Sequence, residues 1–240
     1  AVQEVHRRYG GEDEKFQKLL DTTREIVEDE VGTLRRLVGE FSSFARLPQA
    51  RLEKADLGDF LREQRERISV VDDDGLDADA HLERGAVLPR NVELDFELPS
   101  GAAEAYLDKQ MLRRALINLI RNAGQAIAGA GRDTGRVVVS VHRAGERWVL
   151  DVDDDGPGVP AEMRQNIFDP YFTTKTEGTG LGLAIVKKII VEHGGSIAAE
   201  SAPLGGARVR VMLPVAGTPA AQALLEAREW QGPPSSARPK

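Results

Sequence analysis

The chain has 240 residues, of which 41% are hydrophobic, and it carries a formal net charge of −7. That length allows one globular core with a smaller attached element, and the negative balance supplies no basic field for nucleic acid or an anionic lipid surface. Because the sequence holds no cysteine, disulfides, thiolate metal sites and cysteine nucleophiles are excluded, which is compatible with a cytoplasmic location. No apolar stretch is long enough to cross a bilayer, so we expect a membrane link only through segments outside this sequence.

The first strong element is a long helix predicted from Lys15 to about Leu47. It contains no proline, and its apolar residues recur at spacings of three and four, which is typical of a helix with one apolar stripe. The stripe consists of Phe16, Leu20, Ile26, Val27, Val31, Leu34, Val38, Phe41 and Phe44. The short helical piece predicted over residues 1–9 covers at most part of the stripe. We therefore predict that a second copy of the chain pairs with this helix.

A second helix is predicted from Leu57 to Val71, and an acidic stretch follows it. We interpret that stretch as a solvated loop rather than a metal site, because the pattern places no further ligand near it. Its members are Asp72, Asp73, Asp74 and Asp77. Alternating apolar residues from Asn91 to Leu98 then predict a half-buried strand.

The rest of the predicted core combines helices with strands that pair mainly antiparallel. A helix begins at the N-cap residue Asp108 and runs to about Ala128. The later elements are strands Val137–His142 and Trp148–Val152, a helix Leu181–Glu192, and strands Ser196–Glu200 and Ala207–Leu213. This mixture predicts an α+β fold, a two-layer sandwich of helices on a sheet, and not a doubly wound parallel sheet. Residues 220–230 are predicted as one more helix, followed by a disordered tail.

Two asparagines lie one turn apart on the helix that begins at Asp108, away from its buried face. Asn118 and Asn122 are separated by four positions, so their amides stack along the helix. Asparagine is a poor residue for a helix interior, which favours a functional reason for the pair. Amide oxygens suit a Mg²⁺ ion that takes the rest of its shell from nucleotide phosphates and water.

Asp154 precedes a glycine-containing turn directly after a strand, in the segment DDDGPGVP. Gly156 and Gly158 allow the backbone to pass close to a flat ring. The carboxylate of Asp154 can accept a hydrogen bond from an exocyclic amine such as that of adenine. On its own, this motif is also compatible with an ordinary turn.

A glycine-rich loop comes just before the helix that is predicted from Leu181. Its residues are Gly178, Thr179, Gly180, Leu181 and Gly182. The backbone amides and the positive end of the helix can receive phosphate oxygens. The spacing matches neither a Walker A loop nor G-x-G-x-x-G, so the loop is weak evidence until the other motifs are counted.

Between these motifs, Phe168 and Phe172 form an apolar anchor at the root of a polar loop over residues 173–177. We expect that loop to close over a nucleotide. Lys175 is a candidate phosphate contact there, and an ordinary exposed lysine is the equally good alternative.

Taken in order, the segments LINLIRNAGQAI, DDDGPGVP, IFDPYFTTK and GTGLGLAIVKKIIVEHGG resemble the N, G1, F and G2 boxes of the sensor histidine kinase ATPase domain. Its superfamily also includes gyrase, the heat-shock 90 chaperones and the MutL repair proteins. The resemblance covers about residues 53–214 and implies a Bergerat-type ATP-binding fold. It implies that Asn122, assisted by Asn118, holds Mg²⁺ against the triphosphate and that Asp154 binds the adenine amino group. The glycines of the two motifs would shape the pocket and its lid.

The N-terminal region, which ends in LVGEFSSFARLP, resembles the second helix of the dimerisation hairpin of these kinases, particularly those of the nitrogen-regulation NtrY type. In that family the γ-phosphate of ATP passes to a hairpin histidine in a motif of His, an acidic residue, Asn and Pro, for relay to a response regulator receiver domain. That motif is absent from this sequence. The only histidine before the helix is His6, which we interpret as a surface residue, and we interpret His193 as a helix-end residue.

The sequence therefore predicts three regions: a partial dimerisation region over 1–50, an ATPase domain over 53–214, and a C-terminal helix with a flexible tail over 215–240. The leading hypothesis is an ATP- and Mg²⁺-dependent protein histidine kinase that forms a homodimer, serves a response regulator and lacks its own phospho-acceptor. Two alternatives stay open. One is a degenerate scaffold that uses ATP as a structural ligand, and the other is a stand-alone ATPase.

Overall fold

The computed structural model of the chain describes residues 14–45, 48–68, 88, 91–132, 134–175 and 178–229. Predictions about residues 1–9, the acidic stretch 72–77, the loop tip 176–177 and the tail after residue 229 lie outside these ranges. The described helices are α1 (Glu14–Ala45), α2 (Leu57–Arg67), α3 (Lys109–Gly129), α4 (Gly182–Glu192) and α5 (Pro219–Glu229). The strands are β1 (Glu53–Asp56), β2 (Val92–Glu97), β3 (Glu104–Leu107), β4 (Gly135–Ala144), β5 (Arg147–Asp154), β6 (Ser196–Ser201) and β7 (Ala207–Pro214).

Helix α1 confirms the long helix that the apolar spacing predicted. Five members of its stripe are exposed in the single chain, namely Ile26, Val27, Val31, Leu34 and Val38, and Leu19 on the same helix is exposed too. Exposed apolar surface of this extent on one helix is typical of a surface that another helix covers. Of the described helices, including α1, none is both long and apolar enough to span a bilayer.

A five-stranded sheet with the order β2-β4-β5-β7-β6 forms the centre of the fold. β2 pairs with β4 in parallel, and the other three pairings are antiparallel. Helices α3 and α4 supply the second layer, and their apolar faces share one core with the sheet residues Val139, Val152 and Val211. The predicted two-layer α+β architecture is therefore confirmed.

The opposite face of the sheet carries charged side chains. Both guanidinium nitrogens Nε and Nη2 of Arg208 donate to the Asp153 carboxylate at 2.6 Å. Arg210 makes the equivalent pair of bonds to Asp151, each 2.9 Å long, and also donates to Glu200. Strand alternation explains this division, because residues 151 and 153 point away from the core that 150 and 152 enter.

A two-stranded sheet of β1 and β3 was not predicted. Glu53 pairs with Leu107 and Asp56 with Glu104 in antiparallel register. The indole N–H of Trp148 on β5 donates to the carbonyl oxygen of Glu104 at 2.9 Å, which ties the small sheet to the large one. Strands of four residues with charged members show no alternation long enough to be recognised in a sequence.

The second helix is shorter than its sequence pattern predicted. It ends at Arg67, and Ile68 already has extended backbone with φ −79° and ψ 109°. The prediction that the helix continues through Ile68 is therefore wrong, and residues 69–71 lie outside the described ranges. β4 and β5 are each longer than predicted, because their hairpin pairing continues past the apolar residues on both sides.

Candidate functional site

Three consecutive aspartates at the end of β5 have three different environments. Asp153 points to the outer face and pairs with Arg208. Asp154 is two residues beyond Val152 and so lies on the helix side of the sheet. Asp155, just past the strand, accepts a hydrogen bond from the backbone N–H of Arg136 at 2.9 Å. Strand alternation thus selects Asp154 as the one carboxylate of the three that faces α3.

The carboxylate of Asp154 is buried and held by backbone groups. Its Oδ1 atom accepts hydrogen bonds from the N–H of Gly156 at 2.9 Å and of Ala207 at 3.1 Å. Burial raises the pKa of Asp154, and these two hydrogen bonds oppose that increase. Because Oδ1 receives both bonds, Oδ2 is the oxygen that can accept a hydrogen bond from a ligand.

Two glycines allow the backbone to approach Asp154. A Cβ at Gly206 would lie 2.3 Å from Asp154 Oδ1 and 2.6 Å from the Gly156 nitrogen. A Cβ at Gly156 would lie 2.9 Å from the same Oδ1 and 3.5 Å from Cβ of Ala126 on α3. Gly158 has a φ of +78°, which an L side chain rarely adopts. Gly206 was missed in the sequence, where only the Gly-Gly pair at residues 205–206 distinguishes this turn.

The two asparagines of α3 lie beside the first residue of α4. A Cβ at Gly182 would be 3.4 Å from Asn118 Oδ1 and 4.0 Å from Asn122 Nδ2, so this backbone passes directly over both amides. Asn118 is buried, and its Nδ2 donates to the carbonyl oxygen of Arg114 at 3.0 Å. Asn122 is half-buried. The structure thus brings together residues that are 60 or more positions apart in the sequence.

The glycine-rich loop is fastened to the segment that precedes it. The backbone N–H of Tyr171 donates to the carbonyl oxygen of Gly180 at 3.0 Å. Gly180 has a φ of +68°, and a Cβ there would lie 2.5 Å from the Tyr171 carbonyl carbon. Thr179 Oγ1 accepts from the N–H of Leu181, whose side chain is buried in the core. Gly178 lies against Thr173, where a Cβ would be 2.4 Å from the hydroxyl oxygen.

The apolar anchor before this loop is only partly buried. Phe168 is buried, and the turn Asn166–Phe168 packs against α4. Phe172 is half-buried. Tyr171 has a φ of +67°, the one positive value among the described non-glycine residues, and its ring is exposed. The unusual backbone at Tyr171 follows from its close contact with Gly180 and indicates local strain at the root of the loop.

Two basic side chains bond to residues of the α3 segment that carries the asparagines. Arg121 donates to Asn118 Oδ1 at 2.6 Å, and the Lys175 ammonium donates to Gln125 Oε1 at 2.7 Å. Lys175 is an exposed residue, but partial desolvation of its ammonium group lowers its pKa, and the positive charge of Arg121 lowers it further. Arg121 and Gln125 were missed in the sequence. Their positions, each three residues after an asparagine of the pair, place them near the same helix face and were the signal available.

His193 is not part of this site. It lies at the C-cap of α4, where its Nε2 accepts from the N–H of Asp108 at 3.0 Å and its Nδ1 lies 2.7 Å from the carbonyl oxygen of Ile189. These contacts select the neutral tautomer with the proton on Nδ1. Burial lowers the pKa of His193. The interpretation as a helix-end residue agrees with this position.

The amide oxygens of Asn118 and Asn122 fit a hard cation. Arg121 already binds Oδ1 of Asn118. Asn122 is therefore the stronger candidate for direct contact with Mg²⁺. The backbone of Gly182 leaves open the space that a side chain there would fill. The arrangement can accommodate an ion that keeps waters and phosphate oxygens as its other ligands.

Comparisons with known proteins, made by sequence and by structure, point to one family. Residues 107–217 match the family described as histidine kinase-, DNA gyrase B-, and HSP90-like ATPase. The chain is 35% identical to the nitrogen regulation protein NtrY of Azorhizobium caulinodans over 221 residues, which are 90% of this chain and 26% of NtrY. It is 35% identical to the sensor histidine kinase ZraS of Klebsiella oxytoca over 193 residues, 80% of this chain and 38% of ZraS. The chain thus spans less than half the length of both relatives.

A solved structure shows the same relationship. The nucleotide-free catalytic domain of the histidine kinase ThkA aligns with a TM-score of 0.53 and 28% sequence identity. The alignment covers 69% of this chain and 96% of that domain.

Proposed function

This chain contains a catalytic ATP-binding domain of the sensor histidine kinase family, and from that premise we propose that it transfers the γ-phosphoryl group of ATP to a histidine. The observation that carries the proposal is the position of Gly182 over Asn118 and Asn122. It joins the start of α4, which can bind phosphate, to the amides that can bind a cation.

Asp154 supports a role in binding adenine. Its Oδ1 is saturated by two backbone N–H groups, so Oδ2 can accept a hydrogen bond from the exocyclic amine of the base. Ala126, which lies against Gly156, is on the same helix as Asn122 and one turn further along. A nucleotide along α3 would therefore place its base near Asp154 and its phosphates near Asn122.

The phosphate end is supported by charge. Lys175 and Arg121 are close enough for one to lower the pKa of the other, and an anion between them would relieve that repulsion. We propose that Lys175 leaves Gln125 to bind a phosphate oxygen, while the Gly180 and Gly182 backbone shapes the loop around it. Bound Mg²⁺ would neutralise charge on the phosphates. Asn122 would hold that ion, and Asn118 would be fixed by its bonds to Arg114 and Arg121.

The proposed acceptor is a histidine on a helical hairpin, because no histidine of these 240 residues stands in the acceptor motif. We further propose that α1 pairs with helices of this kind in a homodimer, supported by its exposed residues such as Ile26, Leu34 and Val38. The phosphoryl group would then pass to a response regulator in the cytoplasm.

The test uses the full chain, γ-labelled ATP, Mg²⁺ and a separately supplied hairpin that carries the His–acidic–Asn-Pro motif. We expect phosphate on the hairpin that is labile to acid and stable to base. Asn122→Ala should abolish the transfer, whereas Asn166→Ala, an exposed asparagine in the turn before Phe168, should not. ATP binding without label on the hairpin would instead favour the scaffold, and release of free phosphate alone would favour a stand-alone ATPase.

A further inference from the structure

Three segments that are far apart in the sequence meet at the C-terminal end of α4. The guanidinium of Arg228 on α5 donates to the carbonyl oxygen of Ala50, to the carbonyl oxygen of Glu192 and, at 2.7 Å, to the carboxylate of Glu192. The same carboxylate accepts from the backbone N–H of Ala50 at 3.4 Å. Arg228 is 178 positions from Ala50. One arginine therefore fastens the chain just after α1 to the last turn of α4.

The next residue of this connection is fastened to α3. The backbone N–H of Arg51 donates to Oδ2 of Asp108, the N-cap residue of α3, at 2.9 Å. Asp108 in turn donates its own N–H to His193, directly after Glu192. Residues 50–51 are thus bound to the N-terminal end of α3, which carries Asn118 and Asn122. They are also bound to the C-terminal end of α4, the helix that begins at Gly182.

Helix α5 is itself docked on the domain. Gly194, in the turn after α4, has a φ of +65°. A Cβ at Gly194 would lie 2.9 Å from Cδ2 of Leu224, so a glycine at this position makes room for the leucine. Ala221 is buried, and its N–H is capped by the hydroxyl of Thr218. The position of Arg228 is therefore set by packing along α5 and not by its ion pair alone.

We infer that α5 holds residues 50–51 against the end of α4, and that Arg228 is a positioning residue that sets where the catalytic domain joins α1. The inference rests on the proposed function. Phosphoryl transfer requires the nucleotide to reach a histidine beside α1, and small errors of position reduce such rates strongly. Because Ala50 comes shortly after α1 ends at Ala45, its attachment point governs the reach of the domain.

The first test measures amide hydrogen exchange in the full chain. Arg228→Ala should increase exchange at residues 50–51, whereas Glu226→Ala, an exposed change on the same helix, should leave it unchanged. Arg228→Lys keeps a cation that can serve only part of the contacts and should give an intermediate result. Unchanged exchange in Arg228→Ala, with the fold intact by circular dichroism, would overturn the inference that Arg228 holds residues 50–51 in place.

The second test separates positioning from stability by using two acceptors. One is the complete hairpin, which does not need α1, and the other is only the helix with the acceptor motif, which must pair with α1. At saturating ATP, Arg228→Ala should slow transfer to the lone helix by about tenfold or more and leave transfer to the hairpin and ATP affinity unchanged. An equal effect on both acceptors, or none, would overturn the positioning role. If the wild-type chain binds ATP but labels neither acceptor, the proposed function fails instead, and amide exchange alone decides whether Arg228 holds residues 50–51.

Discussion

Asp154 on β5 accepts a hydrogen bond from the backbone N–H of Ala207 on β7, 53 positions later in the chain. The contact connects the DDDGPGVP segment, which contains Asp154, Gly156 and Gly158, to the start of β7, where no motif was recognised in the sequence. Together with the bond from Gly156, it occupies Oδ1 of the carboxylate, so that Oδ2 is the oxygen left for a ligand. Two predictions follow from this geometry, one for the carboxylate and one for the glycine beside it.

Asp154→Asn should separate stability from binding. An asparagine Oδ1 can keep both backbone hydrogen bonds while the buried charge is removed, so the melting temperature without nucleotide should stay equal or rise. ATP affinity should fall about tenfold or more, because the new NH₂ group faces the adenine amine as a second donor. Calorimetry with Asp153→Asn as the neighbouring control checks this. Wild-type affinity in Asp154→Asn would refute the adenine role.

Gly206→Ala should weaken both the fold and nucleotide binding. The added Cβ would collide with Asp154 Oδ1. Overpacking of this kind should lower the free energy of unfolding by about 1–3 kcal/mol. Gly205→Ala is the matched control, since Gly205 has a φ of +98° but open space around it. That control should lose stability through backbone strain alone and retain ATP affinity. Equal affinity in both variants would contradict the role assigned to Gly206.

Lys175→Ala should reduce affinity for ATP about tenfold or more, as expected for one charged hydrogen bond, and leave affinity for AMP unchanged. The distinction arises because Lys175 lies near Arg121 and Gln125 and is proposed to contact only the outer phosphates. Lys54→Ala on β1 serves as the charge-matched control. Competition binding with the two nucleotides measures both affinities, and a parallel loss for AMP would rule out the assignment.

The stability of the chain should depend on the protonation of His193. The pKa of this histidine is lowered in the folded state, so the unfolded chain binds the proton more readily. The contribution is complete above the unfolded pKa of about 6.5 and is lost as the pH falls from there toward the lower folded pKa. Urea unfolding from pH 8 to pH 5 should show this decrease, and His193→Gln should flatten it. A wild-type profile that is unchanged in the variant would contradict this prediction.

Asp151→Ala should destabilise the sheet by about 1.5–3 kcal/mol, because Arg210 loses its two charged hydrogen bonds to a buried carboxylate while it keeps Glu200 as a partner. The Asp151 side chain is only 1% exposed, whereas Asp95, which pairs with Arg136, is 46% exposed. Asp95→Ala should therefore produce no measurable loss. Denaturation of both variants in urea tests the difference.

Local patterns predicted α3 and its N-cap well. Asp108 caps through bonds to Gln110 and Met111, only two and three residues away, so the signal lies within one turn of sequence. The helix α4 and the loop before it were equally recognisable. The long apolar spacing of α1 also suffices, because a helix period needs no tertiary partner to be seen.

Other features depend on contacts between distant segments. Gly206 becomes restrictive only when β7 brings it against Asp154, and Arg121 gains its role only beside Lys175. The pairing of β1 with β3 joins residues that are 48 positions apart for Asp56 and Glu104 and 54 positions apart for Glu53 and Leu107. No short window of sequence contains such information, since each partner alone is compatible with a loop.

On the outer face of the sheet, the neighbouring strands β5 and β7 carry paired guanidinium and carboxylate groups from Arg208, Arg210, Asp151 and Asp153. This described part of the sheet presents charged groups rather than apolar side chains to a neighbouring sheet. Two copies brought together through α1 would thus have little tendency to fuse at their ATP-binding halves.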